Sequence, residues 1–81
     1  MPTLSRRAQK DLEQLPDALR VKALNIIDRL DSEPGLGKKL LGSLAGIRSA
    51  RLGRSHRILY EVKNTGIAHV LTISQRRDAY R

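Results

Sequence analysis

Cysteine is absent from this chain, and histidine occurs only twice in 81 residues. Without cysteine there is no disulfide and no thiolate for a metal or redox centre, which suits a reducing compartment. Long apolar runs are also missing. The opening MPTLSRRAQKDL has none and does not read as a signal peptide. No window approaches the ~20 apolar residues of a membrane span. We therefore expect a soluble cytoplasmic protein without a membrane partner. His56 and His69 have no partners at ligand spacing, and Glu61 and Asp78 are not spaced as a metal pair. No metal and no other cofactor is expected. A chain this short makes one domain, residues 1–81, with a modest core.

Acidic residues are scarce in one part only. Residues 1–33 carry six basic and six acidic side chains, whereas residues 34–81 carry ten basic and two acidic ones, Glu61 and Asp78. The net charge of +8 thus lies wholly in the second part. Such segregation predicts a surface field that attracts polyanions. The plainer reading is a solvated basic face.

The first part reads as two helices. Ser5 can cap a helix with Ala8, Leu12 and Leu15 on one stripe and Leu4 packing back on it. Pro16 ends it, and Pro16 and Asp17 suit the first turn of the next. Leu19, Ala23, Ile26, Ile27 and Leu30 form the buried face of that second helix, with Arg20, Lys22 and Arg29 outside. Ser32-Glu33-Pro34-Gly35 stops it. So close a junction predicts an antiparallel helix hairpin. Leu36–Ala45 reads as a linker, its leucines tucked under a sheet and the doublet Lys38 and Lys39 outside.

The second part is organised around GIRSARLGRSHRILYEV, residues 46–62. Ile47, Ser49 and Arg51 share one parity, and Arg48, Ala50 and Leu52 the other. Beyond a bend at Gly53–Ser55, Arg57, Leu59 and Glu61 oppose Ile58, Tyr60 and Val62. This is a hairpin of two short strands. Tyr60 belongs with the core, and His56 points away from Arg57. Lys63-Asn64-Thr65-Gly66 is a turn, with Asn64 and Gly66 expected at positive φ. Ile67–Ser74 is a strand with Ile67, Leu71 and Ile73 on one parity and Ala68 and Val70 on the other, hence covered on both faces. QRRDAYR, residues 75–81, leaves the sheet. The fold class is α+β: a two-helix hairpin packed on a small antiparallel sheet of three to four strands, the first short or missing.

At RAQKDLEQLP, LGKKLLGSLAGIRSARLG, HRILYEV and ISQRRDAYR the sequence resembles the RelE/ParE toxin superfamily, and most closely its RelE branch. The resemblance spans nearly the whole chain. It implies a toxin of a type II toxin–antitoxin system, held in a hetero-oligomer by a cognate antitoxin. In the RelE branch it implies a ribosome-dependent endoribonuclease that cuts mRNA in the 30S A site. In the ParE branch it implies inhibition of DNA gyrase without catalysis. Carried onto this sequence, the RelE pattern puts Arg51, Arg57, Arg76 and Tyr80 in the catalytic site. The other basic position on the strand of Arg51 falls on Ser49. Lys38, Lys39, Arg48, Arg54, Arg77 and Arg81 are the remaining candidates for contact with RNA.

Metal-free RNA cleavage needs a base for the 2′-hydroxyl, an acid for the 5′ oxygen, and cations on the non-bridging oxygens. Arginine suits the last role, because it grips phosphate bidentately and stays charged. On this expectation Arg51 and Arg57 hold the scissile phosphate, Arg76 assists the leaving group, and Tyr80 orients or deprotonates the 2′-hydroxyl.

Overall fold

The computed structural model describes residues 2–40 and 46–75. Its elements are β1 (Thr3–Leu4), α1 (Arg6–Gln14), α2 (Asp17–Ser32), β2 (Lys38–Lys39), β3 (Ile47–Leu52), β4 (His56–Val62) and β5 (Ala68–Gln75). The strands form one sheet in the order β1-β5-β4-β3-β2. Two helices cover one face of it, giving the expected α+β layers. The sheet is larger than a reading of three or four antiparallel strands. It has five, and β1 runs parallel to β5. The two additions are two-residue edge strands, too short to show any periodicity.

Both helices start where local chemistry permits. Ser5 caps α1, its Oγ accepting from Ala8 N at 3.0 Å. Pro16 is the N-cap of α2 and Asp17 lies in its first turn. Arg20 does not stay on the outer face. It folds back on the end of α1, donating to the carbonyls of Leu12, Glu13 and Leu15 at 2.9–3.2 Å. The last turn of a helix leaves such carbonyls short of internal partners; here Leu12 O has only a long bond of 3.3 Å from Leu15 N. No helix among the described residues is long and apolar enough to cross a membrane.

The core joins Ala8, Leu15, Ala23, Ile27 and Leu30 of the helical layer to Ala50, Leu52, Ile58, Tyr60, Ala68, Val70 and Ile73 of the sheet. In β5 this set crosses parity between Val70 and Ile73. The cause is a bulge: Tyr60 pairs with Val70 but Leu59 with Thr72, so Leu71 is an extra residue. A bulge resets the alternation, so apolar residues of both parities reach one face. The expected coverage on both faces is therefore a register shift. In the turn between β4 and β5 only Gly66 (φ 83°) is left-handed. Asn64 is not, since no described residue other than glycine has positive φ.

Ser5, the N-cap of α1, and Asp11 within it hold the bulge. Ser5 N donates to Val70 O at 2.9 Å and Ser5 Oγ to Leu71 O at 2.6 Å. Asp11 Oδ2 accepts from Thr72 Oγ1 at 2.6 Å and from Ile73 N at 3.0 Å. The edge of β5 beyond β1 is thus satisfied by the first helix.

Tyr60 anchors the other side of the sheet. Its buried hydroxyl accepts from Gly37 N at 2.7 Å and donates to Pro34 O at 2.9 Å. A Cβ on Gly37 would lie 2.7 Å from that hydroxyl, so the close approach requires glycine. Arg48 adds a bond from Nη1 to Gly37 O at 3.0 Å. These contacts fasten the segment between α2 and β3, and so the position of β2.

Both anchors can be tested by removing them. Asp11→Ala leaves Ile73 N without its acceptor and lowers stability by about 1–3 kcal/mol. In urea unfolding the midpoint falls at constant slope, and Arg7→Ala, which removes only an exposed partner of Asp11, shifts it far less. Tyr60→Phe strands the Gly37 amide and costs a similar amount, about 1–3 kcal/mol. Amide exchange at Gly37 and Lys38 accelerates more in this variant than exchange in α1.

Candidate functional site

The register of β3 on β4 places Arg51 directly opposite Arg57. Directly paired side chains lie on the same face with Cβ atoms ~5 Å apart, and like charges in that position destabilise the pair. The ladder and the opposite face hold the arrangement. Ala50 pairs with Ile58 there, and Leu52 is fully buried. Slipping either strand by one residue would send its own arginine toward the core and its apolar residues out to solvent.

Both arginines line a cleft of about 580 Å³. One wall is Ile26 and Arg29 of α2 with Leu36. The other is Lys38, Ser49, Ala50, Arg51 and Arg57. The cleft lies where β2 stops: β2 pairs only with Arg48 and Ser49, while β3 continues to Leu52. Every charged residue among the described walls is basic. Arg29 also meets Glu33 at 3.2 Å. Cations converging on a half-enclosed concavity focus a positive field that a phosphodiester can enter.

The structure separates the candidate residues. Arg51, Arg57 and Lys38 share the cleft. Lys39 pairs with Arg48 instead, one residue out of step with Lys38 and so on the other face. Arg48 is half-buried, and its bond to Gly37 O makes it part of the crossover. Arg54 is exposed in the β3–β4 turn, away from the cleft walls. Arg76, Arg77, Tyr80 and Arg81 lie outside the described residues. Two polar wall residues escaped the sequence reading as site residues. Arg29 looked like one more solvated helix cation, and Ser49 like a missing base. Only the packing of α2 beside the open edge of β3 brings Arg29 to the site.

The histidines sit elsewhere. His56 lines a smaller hollow with Arg7, Asp11 and Gln75, and its Nδ1 lies 2.7 Å from Ser55 Oγ. His69 pairs in register with Thr3, and its Nδ1 is 2.6 Å from Thr3 Oγ1. Among the described residues no three His, Cys, Asp or Glu side chains cluster as a metal site would need.

A family model for the ParE toxin of the type II toxin–antitoxin system parDE matches residues 3–80. The chain belongs to the RelE/ParE superfamily of type II toxins. Solved structures of RelE and ParE type share its fold. The toxin–antitoxin complex RelBE2 of Mycobacterium tuberculosis is 29% identical with a TM-score of 0.79, covering 94% of this chain and 100% of that one. A YoeB/ParE toxin from Agrobacterium tumefaciens is 28% identical with a TM-score of 0.80, covering 94% and 99%. The archaeal RelE–RelB complex of Pyrococcus horikoshii is 26% identical with a TM-score of 0.73, covering 95% and 94%. No curated protein matches the chain. For a toxin of this superfamily, the opposed arginines are a charge concentration that the fold maintains against its own stability.

That cost is measurable. Arg51→Gln removes the repulsion without opening the core, because Arg51 is exposed. The variant is expected to be more stable than the parent by roughly a few tenths of a kcal/mol at low salt. Urea midpoints compared at low and high salt check this, since screening shrinks the gain.

Proposed function

We propose that this toxin is a ribosome-dependent endoribonuclease that cuts mRNA in the A site and so stops translation. The observation that carries the reading is the pair Arg51 and Arg57, opposed on one face inside a cleft whose described charged walls are all basic. Two guanidiniums at that separation suit the non-bridging oxygens of one phosphate, with bidentate, permanently charged donors.

In the proposed reaction the 2′-oxygen attacks the adjacent phosphorus and the P–O5′ bond breaks. The products are a 2′,3′-cyclic phosphate and a 5′-hydroxyl end. Arg51 and Arg57 stabilise the charge that grows on the phosphoryl oxygens in the transition state. Tyr80 takes the 2′-hydroxyl proton, and Arg76 protonates the departing 5′ oxygen, roles that rest on the family pattern. Translating ribosomes would present the message in a reactive geometry, which alone can supply a large part of the acceleration.

We further propose that a cognate antitoxin neutralises the protein in a hetero-oligomer, since the RelBE2 and RelE–RelB structures are complexes of this kind. A cleft so basic and so open suits a flexible acidic segment that orders on binding.

A second reading has its own support, because the matching family model is that of ParE. A gyrase inhibitor binds a protein and needs no opposed arginines. Inducing the protein and monitoring labelled methionine and thymidine separately distinguishes the two. Loss of methionine incorporation first supports the ribonuclease, and loss of thymidine incorporation first supports the gyrase inhibitor. In mapped transcript ends from translating extracts, Arg57→Ala should reduce cleavage by about 10²–10³-fold, with circular dichroism unchanged. A fully active Arg57→Ala protein would remove the proposed site.

A further inference from the structure

Ser49 is the buried polar residue of the described fold, only 4% exposed, and its hydroxyl finds no hydrogen-bond partner among the described residues. An unpaired buried hydroxyl is costly, and in a native protein it calls for an explanation. This one belongs to the wall of the basic cleft. An acceptor entering the cleft would complete it.

Lys38 supplies the charge for such an acceptor. It is the register partner of Ser49, so both side chains rise from the same face, ~5 Å apart at Cβ. Lys38 is exposed and also lines the cleft, so its ammonium can reach over the Ser49 hydroxyl toward the cleft interior. Its position is not casual. Tyr60 and Arg48 both bind Gly37, the residue before it.

Ser49 and Arg51 are two residues apart on β3, about 6.6–6.8 Å along the strand. That step resembles the spacing of successive phosphates along a nucleic-acid strand. We propose that the Ser49 hydroxyl and the Lys38 ammonium form a second phosphate subsite, holding the phosphodiester next to the one gripped by Arg51 and Arg57. The ligand is a single-stranded polynucleotide spanning at least two phosphates. Its identity as RNA rests on the ribonuclease reading. The pairing of Lys38 with Ser49 does not.

The test uses a short 2′-O-methyl RNA, which binds but cannot be cut, and fluorescence anisotropy over a series of salt concentrations. Lys38→Ala should weaken binding roughly five- to tenfold at low salt and lower the salt slope by about 0.7, one phosphate contact on a single strand. Lys38→Arg should restore most of the slope. Ser49→Ala should weaken binding and leave the slope unchanged, since it removes a neutral donor. Lys63→Ala, an equal loss of charge at the β4–β5 turn, should change neither. In the double variant Lys38→Ala/Ser49→Lys the slope should return, because the cation then rises from the partner position on the same face. Melting curves identify any variant that fails to fold, and the two Lys38 substitutions at an exposed position decide the matter by themselves.

A Lys38→Ala protein with the parental affinity and slope overturns the subsite, as does a Lys63→Ala loss equal to that of Lys38→Ala. In translating extracts Lys38→Ala should raise KM more than it lowers kcat, whereas Arg57→Ala should act mainly on kcat. If the parent cuts no transcript but the Lys38 slope change is present, the ribonuclease reading fails and the subsite stands. If the parent cuts and the slope change is absent, the subsite fails and the ribonuclease reading stands.

Discussion

The pairing of β3 with β4 is the constraint on which the molecule turns. On one face it joins Ala50 to Ile58 and brings Leu52 and Tyr60 into the core. On the other it sets Arg51 against Arg57. Because strand side chains alternate, these are one fact seen from two sides. A one-residue slip of either strand would turn its apolar set out to solvent, so the buried face ties both arginines to the opposite one. The hydrophobic face is therefore the force that holds two cations together, and the functional surface inherits its rigidity from the core beneath it. Small domains have little stability to spare, so the retention of such repulsion is informative.

The rest of the fold builds a concavity around that pair. The crossover after α2 is fastened by Tyr60 and Arg48 to Gly37, which sets Lys38 beside Ser49. Since β2 is only two residues long, the edge of β3 beyond Ser49 stays open, and α2 brings Arg29 to the far wall. A longer β2 would cover the opening; a shorter crossover would carry Lys38 away. The bulge in β5 serves the same end from the other direction. It lets Ala68, Val70 and Ile73 all face the helices, and Ser5 and Asp11 satisfy the backbone groups it frees.

Much of this was legible in the residues. Helical spacing marked Ala8, Leu12 and Leu15, then Ala23, Ile27 and Leu30, because an amphipathic stripe is a local signal. The alternation in RSARL and HRILYEV predicted the shared face of Arg51 and Arg57, and placed Tyr60 inside and His56 away from Arg57. The features that failed to show depend on partners distant in sequence. The bulge at Leu71 has no local signature, since the demand for it comes from β4 and from Ser5 and Asp11. Two-residue strands such as Thr3–Leu4 and Lys38–Lys39 carry no period. Arg20, Arg29 and Arg48 looked alike as solvated cations. One caps α1, one walls the cleft and one secures the crossover, and only tertiary packing separates these roles.

The chemistry of the cleft walls would divide the work of the proposed cleavage. Arginine and lysine side chains can hold an anion and offset charge that grows on it. A guanidinium, with a pKa above ~12, is a poor acceptor for the 2′-hydroxyl proton. Arg29, Lys38, Arg51 and Arg57 therefore suit the phosphoryl oxygens, and the Ser49 hydroxyl adds a neutral donor to them. On the proposed reading, proton transfer falls to groups outside this set: Tyr80, Arg76, or the ribosome that presents the message. A protein that contributes grip and charge but depends on its substrate's carrier for geometry would be slow on free RNA and fast on translated RNA. On the same reading, a small domain that gives its cleft to cations leaves geometry and proton transfer to the ribosome.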